Sequence, residues 1–242
     1  MRIDGRKYNE LRPYKLTPGV NQFAEGSCLI EQGLTRVYCT ASIEQGVPFH
    51  RKGTGLGWVT AEYSMLPRAN RQRSQRDVSK LKLNGRSAEI QRLIGRSLRS
   101  VVDMEALGEL TITVDCDVLQ GDGGTRCASI TGGFVALAMA GKFLADNHWT
   151  RRNPVIDYVA ALSTGIIPLD GRDQPIIDMC YEEDSNALAD FNLVMTGAGS
   201  FVEIQGTGEG RPYTADEMAN VVRVTTPAIY KMIEAQKEII TL

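Results

Sequence analysis

Along residues 109–120, ELTITVDCDVLQ, apolar and polar side chains take turns. A period of two separates them onto the two faces of a strand, with Asp115 and Asp117 together on the polar one. Runs at 26–31, 35–42 and 57–62 mix β-branched and aromatic residues between glycines and read as strands too. Further strands are expected near 155–167, 175–181, 191–195 and 201–205. A different period governs 87–106: at 100° per residue, Ile90, Leu93, Ile94, Leu98, Val101 and Val102 form one apolar arc of a helix. A second, more uniformly apolar helix is expected over 128–145. A third runs to about residue 240 from Thr214, an N-cap whose capping box Glu217 completes. Each half of the chain thus has strands followed by helix, with no Pro- or Ser-rich linker between. The pattern predicts an α+β fold, a duplicated unit fused into one compact domain with halves of about 1–125 and 126–242.

Size and composition narrow the chemistry. With 242 residues and 43% hydrophobic content the chain can bury one sizeable core or two small ones. The net charge of −2 is not that of a typical nucleic-acid binder, so any contact with a polyanion must come from local clusters of Arg and Lys. Five widely spaced cysteines without a CxxC pair read as small apolar residues in a reducing compartment. The two histidines, His50 and His148, leave little room for nucleophile–histidine catalysis or a zinc site. Residues 1–12 are charged, without the apolar core of a signal peptide. The apolar stretch 128–144, broken by glycines and Lys142, is expected to be too short for a bilayer. A cytoplasmic protein without a membrane partner is expected. Dinucleotide and Walker fingerprints are missing.

Four features could carry chemistry. Gly121-Asp122-Gly123-Gly124-Thr125-Arg126 joins a strand to a helix, so unpaired N–H groups gather at the helix's positive end beside a forked cation. That is an anion site, or a tight turn whose glycines only serve positive φ. Arg86, at the edge of the apolar arc and the start of its helix, needs an anion, either an internal carboxylate or a ligand phosphate. On the opposite face Arg92, Arg96 and Arg99 form a stripe toward solvent or a neighbouring subunit, with Glu89 able to pair with Arg92 or Arg96. In the acidic segment 178–184, strand alternation sets Asp178, Cys180 and Glu182 on one face, and Asp178 with Asp184 could hold Mg²⁺ and supply a general acid, or merely decorate a loop. Finally, residues 68–82 set Arg68, Arg71, Arg73, Arg76, Lys80 and Lys82 against the single acid Asp77. Such a loop could grip nucleic-acid phosphates or be solvated surface.

Taken together these segments resemble the ribonuclease PH family of phosphorolytic exoribonucleases, which trim the 3′ ends of tRNA precursors. The likeness runs nearly end to end. It is carried by AEGS at 24–27, TAEYSMLPR at 60–68, the EIQRLIGRSLR helix ending at 99, DCDVLQGDGGTRCASITG at 115–132, the EEDS segment ending at 185 and VEIQGTGEG at 202–210. The resemblance implies paired βαβα units like ribosomal protein S5 domain 2, in a single domain that assembles as a homohexameric ring, a trimer of dimers. It implies that Arg86, Gly124, Thr125 and Arg126 bind inorganic phosphate as co-substrate. Asp178 and Asp184 would serve Mg²⁺ or Mn²⁺ binding and catalysis. Arg68, Arg71, Arg73, Arg76, Arg92 and Arg96 would contact RNA. The reaction would release nucleoside diphosphates and run backwards to extend RNA.

Overall fold

The computed structural model describes residues 2–76 and 84–242. A five-stranded sheet is built from β1 (Tyr14–Pro18), β2 (Gly26–Gln32), β3 (Thr35–Gln45), β4 (Trp58–Met65) and β5 (Leu110–Gln120) in the order β1-β2-β3-β5-β4. All neighbours are antiparallel except β4 with β5. A four-stranded antiparallel sheet follows from β6 (Val159–Leu169), β7 (Arg172–Ile177), β8 (Ala189–Thr196) and β9 (Phe201–Thr207), in the order β7-β6-β8-β9. The α+β class read from the sequence is the observed one. β1 escapes a pattern search because only Leu16 of its five residues is buried.

Between the sheets lies α3 (Thr125–Asp146), which packs on β2, β3 and β5 on one side and on β6 on the other. That double burial explains why it is apolar nearly all round rather than amphipathic. By length and composition its 22 residues could cross a membrane, so the expectation that the stretch is too short does not hold. Its apolar surface is spent on the two sheets instead, with 83% of the most apolar window buried. Close approach needs glycine. A Cβ on Gly26 would stand 1.9 Å from the Ala136 carbonyl oxygen, and one on Gly132 would stand 2.7 Å from the Ile30 side chain. The outer face of the second sheet is covered by α5 (Ala215–Ile239), through Val221, Ile229, Met232 and Ile233 against Leu162, Phe191 and Leu193. The Thr214–Glu217 capping box opens this helix as expected.

Two elements end early. The helix expected over 87–106 is α1 (Gly85–Arg99), followed by a separate turn α2 (Met104–Leu107). Val101 and Val102 are buried, but outside a helix: the Ile156 amide donates to the Val101 carbonyl, Asp103 donates to Pro154, and Val102 bridges Val155. This strand-like pairing outcompetes helix continuation, and it also holds residues 155 and 156 away from β6. In the second sheet β7 stops at Ile177. Asp178 takes a left-handed backbone (φ 53°), and the chain turns into the short helix α4 (Tyr181–Asp184). Asp178, Cys180 and Glu182 therefore do not share a strand face.

Candidate active site

The turn between β5 and α3 is pinned on its way out of the sheet. The Gly121 amide donates to the Ala69 carbonyl (2.8 Å) and the Asp122 amide to Thr35 Oγ1 (2.9 Å). Gly123 and Gly124 then both take left-handed backbones, φ 77° and 67°, and a Cβ on Gly123 would come within 2.5 Å of the Met179 carbonyl oxygen. Only glycine meets both demands. The chain enters α3 at Thr125, leaving first-turn N–H groups without helical acceptors at the positive end of a long helix. Thr125 Oγ1 shares a 2.9 Å hydrogen bond with the Tyr63 hydroxyl. Arg126 Nη1 donates to Gln205 Oε1 at 3.0 Å and Glu89 Oε1 at 3.3 Å, which fixes the guanidinium between α1 and β9. Glu89 thus pairs with Arg126 rather than with Arg92 or Arg96, and Arg96 pairs with Glu203.

This turn opens into a cavity of about 1140 Å³ shared by both halves of the chain. Gly123, Gly124, Thr125 and Arg126 face Arg86 in its lining. Arg86 sits on the first turn of α1, whose N-cap Asn84 accepts from the Arg86 amide (3.1 Å). Its side chain is exposed rather than inward. Among the described residues no carboxylate forms an ion pair with Arg86, although its charge acts on Asp184. Four of the expected site residues, Arg86, Gly124, Thr125 and Arg126, do converge.

The other wall of the cavity is acidic, with Asp184, Asp190 and Glu209. Loss of hydration in the cleft raises the pKa of Asp184, with Glu209 adding to it while Arg86 and Arg126 oppose it. Asp190 is raised by burial first, then by Asp184 and Glu209. Its Oδ1 is buried without a hydrogen-bond partner. A starved carboxylate oxygen beside a second carboxylate of high proton affinity suits a divalent cation, which takes oxygen ligands. No group of three His, Cys, Asp or Glu side chains among the described residues forms a fuller cage. The pair therefore fits an ion that keeps water or substrate oxygens, as Mg²⁺ does.

Asp178 is not part of that wall. Fully buried, its carboxylate accepts from the Arg12 amide (2.7 Å), Arg12 Nε (3.0 Å), Arg12 Nη2 (2.6 Å) and Gln32 Nε2 (2.8 Å). With its lone pairs spent and its side chain outside the cavity lining, it is no ligand beside Asp184. This corrects the expected Asp178–Asp184 pair. The arginines that tie down the acidic loop were missed in the sequence. Arg2 forks onto Glu183 (2.8 and 2.7 Å), and the Arg6 guanidinium lies 3.7 Å from Asp178. Burial alone would raise Glu183, but Arg2 outweighs it and holds the carboxyl below the usual range. The charged run 2–12 was the available signal, and charge alone gives it no address in the fold.

Comparison with known proteins decides the lineage. Residues 10–142 match the model of the 3′ exoribonuclease family, domain 1, and residues 157–226 match domain 2 of the same family. The chain belongs to the 3′ exoribonuclease family. The family is one of phosphorolytic 3′–5′ exoribonucleases, with RNA binding at the level of the family. Solved structures share the fold of this chain. Rice (Oryza sativa) Rrp46 is 18% identical with a TM-score of 0.78, covering 98% of both chains. A chain of an archaeal exosome core is 23% identical with a TM-score of 0.78, over 98% of this chain and 91% of that one. A chain of the Archaeoglobus fulgidus exosome with RNA bound to the active site is 22% identical with a TM-score of 0.80, over 96% and 91%.

The described part of the basic loop, residues 68–76, reaches the rim of the cavity. Asn70, Ser74 and Gln75 line it, whereas Arg68, Arg71, Arg73 and Arg76 are exposed and outside the lining. Lys80 and Lys82 lie outside the described residues. Arg92 is exposed on α1, one turn beyond Glu89. None of the six arginines expected to contact RNA lines the cavity.

Proposed function

We propose that this protein shortens RNA from its 3′ end by phosphorolysis, with tRNA precursors among its substrates, and that it can add nucleotides from diphosphates in reverse. The observation carrying this reading is the facing of Arg86 with the Gly124-Thr125-Arg126 helix terminus across one cavity, opposite the Asp184–Asp190 wall. Phosphorolysis brings a phosphate dianion against an anionic phosphodiester, so the nucleophile must be neutralised before it can approach. Two guanidinium groups, the Thr125 hydroxyl and the turn's N–H groups supply that environment. An oxygen of hydrogen phosphate attacks the terminal phosphodiester phosphorus. The bond to the penultimate O3′ breaks, and a nucleoside diphosphate leaves. The proton lost by the attacking hydrogen phosphate ends on O3′, so the step balances within the two substrates. Asp190 with Asp184 would hold Mg²⁺ or Mn²⁺, which when bound offsets the negative charge gathered there.

In this reading the chain acts as one domain, in the cytoplasm, repeated in a homohexameric ring built as a trimer of dimers. Incubating the protein with a 3′-extended tRNA precursor and ³²P-labelled inorganic phosphate tests the chemistry. Phosphorolysis predicts labelled nucleoside diphosphates and no release without phosphate. Unlabelled monophosphates would make the protein a hydrolytic nuclease, and no product of either kind would make it a non-catalytic RNA-binding subunit.

A further inference from the structure

The N-terminal segment reaches the back of the anion turn. Arg12 is 4% exposed, and its guanidinium is oriented by two bonds to the Asp178 carboxylate, which also accepts from the Arg12 amide. The fork also reaches the turn: Nη1 donates to the Asp122 carbonyl at 2.5 Å, and Nη2, already bonded to Asp178, donates also to the Gly123 carbonyl at 3.5 Å. Thr35 Oγ1 donates to the same Gly123 carbonyl at 2.8 Å. In a trans peptide the C=O and N–H groups point in opposite directions. Carbonyls of Asp122 and Gly123 held against the buried side therefore turn the N–H groups of Gly123 and Gly124 the other way, toward the cavity those glycines line.

We propose that Arg12, anchored by Asp178, is a positioning residue that aims the Gly123 and Gly124 N–H groups at the attacking phosphate. Two glycines with left-handed backbones would otherwise sample many orientations, since nothing in a glycine fixes its peptide planes. The strut removes that freedom before the ligand arrives, so binding does not have to supply the ordering. Asp178 contributes through Arg12 and touches neither substrate nor metal. Asp178 also stands on a strained left-handed backbone, held there by its amide's 2.7 Å bond to the Ser163 carbonyl. This inference rests on the phosphorolytic reading above and adds to it a residue remote in sequence from the turn.

Arg12→Lys separates aiming from folding, because lysine keeps a cation beside Asp178 but lacks the fork that grips two carbonyls. The expected result is a KM for inorganic phosphate raised about tenfold or more, the scale of a weakened hydrogen bond to a charged group. The KM for RNA and the kcat at saturating phosphate should stay close to wild type. A phosphate KM within twofold of wild type in a folded Arg12→Lys protein would overturn the proposal. If that variant does not fold, Arg12→Met/Asp178→Leu removes both buried charges together. Normal phosphate KM in this double variant would equally reject the strut. A measurement on the unaltered protein stands apart from folding: titration with inorganic phosphate should shift the ¹⁵N–¹H resonances of Gly123 and Gly124, and unmoved resonances would overturn the aiming. Arg126→Ala is the control for the underlying reading. If it too leaves phosphate KM unchanged, the phosphate site itself is misassigned, whatever Arg12 does.

Discussion

Arg86 and Arg126 meet the same cavity under different constraints. Arg126 is held by Glu89 and Gln205, whereas Arg86 forms no ion pair among the described residues. Replacing either with alanine should cost roughly 10²–10³ in phosphorolytic rate, the scale for losing one preorganised anion donor. RNA binding measured by filter retention should change far less, and near-normal trimming at limiting phosphate would remove the residue from the phosphate site. The acids make a prediction of opposite sign for stability and activity. Asp190 has a pKa raised in the fold, so its contribution to stability is fully present below the ordinary aspartate range and is lost as pH rises through the folded value. Asp190→Asn should therefore melt higher than wild type at neutral pH, with the gap closing in acid, while losing trimming and Mn²⁺ binding. Asp184→Asn should in turn let the Asp190 pKa fall, because Asp184 is one of the charges that raise it. An Asp190→Asn variant that binds Mn²⁺ as wild type does would dissociate Asp190 from the metal.

The elements depend on positions where the backbone, not the side chain, makes the contact. Gly26→Ala would drive a methyl group into the α3 backbone, and Gly132→Ala into Ile30. The second should destabilise by about 1–3 kcal/mol as overpacking, and the first by more because a main chain cannot rotate aside. Thr214→Ala at the start of α5 should cost about 1 kcal/mol and leave activity intact. Thermal unfolding and an assay of nucleoside diphosphate release on the same samples check all three. Periodicity made β5 and the core face of α1 legible, because a period of two or 3.6 survives in the sequence wherever one face is buried. It misled at 101–102, where two buried valines continue the helical arc but pair with residues 155 and 156 instead. It misled again at Asp178, where strand alternation was extended past the end of β7. The glycine turn was readable because its demands are local. The Asp178–Arg12 link was not, since 166 residues separate its two ends and no local pattern records such a pairing.

For the whole molecule, a net charge of −2 must coexist with a polyanionic substrate, so attraction has to be local. Arg71, Arg73 and Arg76 stand exposed on the rim rather than in the cavity. Neutralising all three should weaken precursor-tRNA binding and flatten its salt dependence by about 0.7 per lost single-strand phosphate contact. Phosphate KM and cleavage of a very short oligonucleotide should be nearly unchanged. Sedimentation distinguishes the alternative, in which these arginines join subunits and the variant runs as smaller assemblies. A variant of unchanged size and unchanged salt slope would leave the loop as solvated surface.

The cavity draws on residues from Tyr63 to Glu209, and β8 and β9, near the end of the chain, supply Asp190 and Gln205. During synthesis the anion turn therefore emerges long before the acids that complete the site. A chain bearing the turn alone would have the phosphate cradle but not the acidic wall. Because β8 and β9 complete the cavity, the site is whole only once both halves of the sequence have folded together.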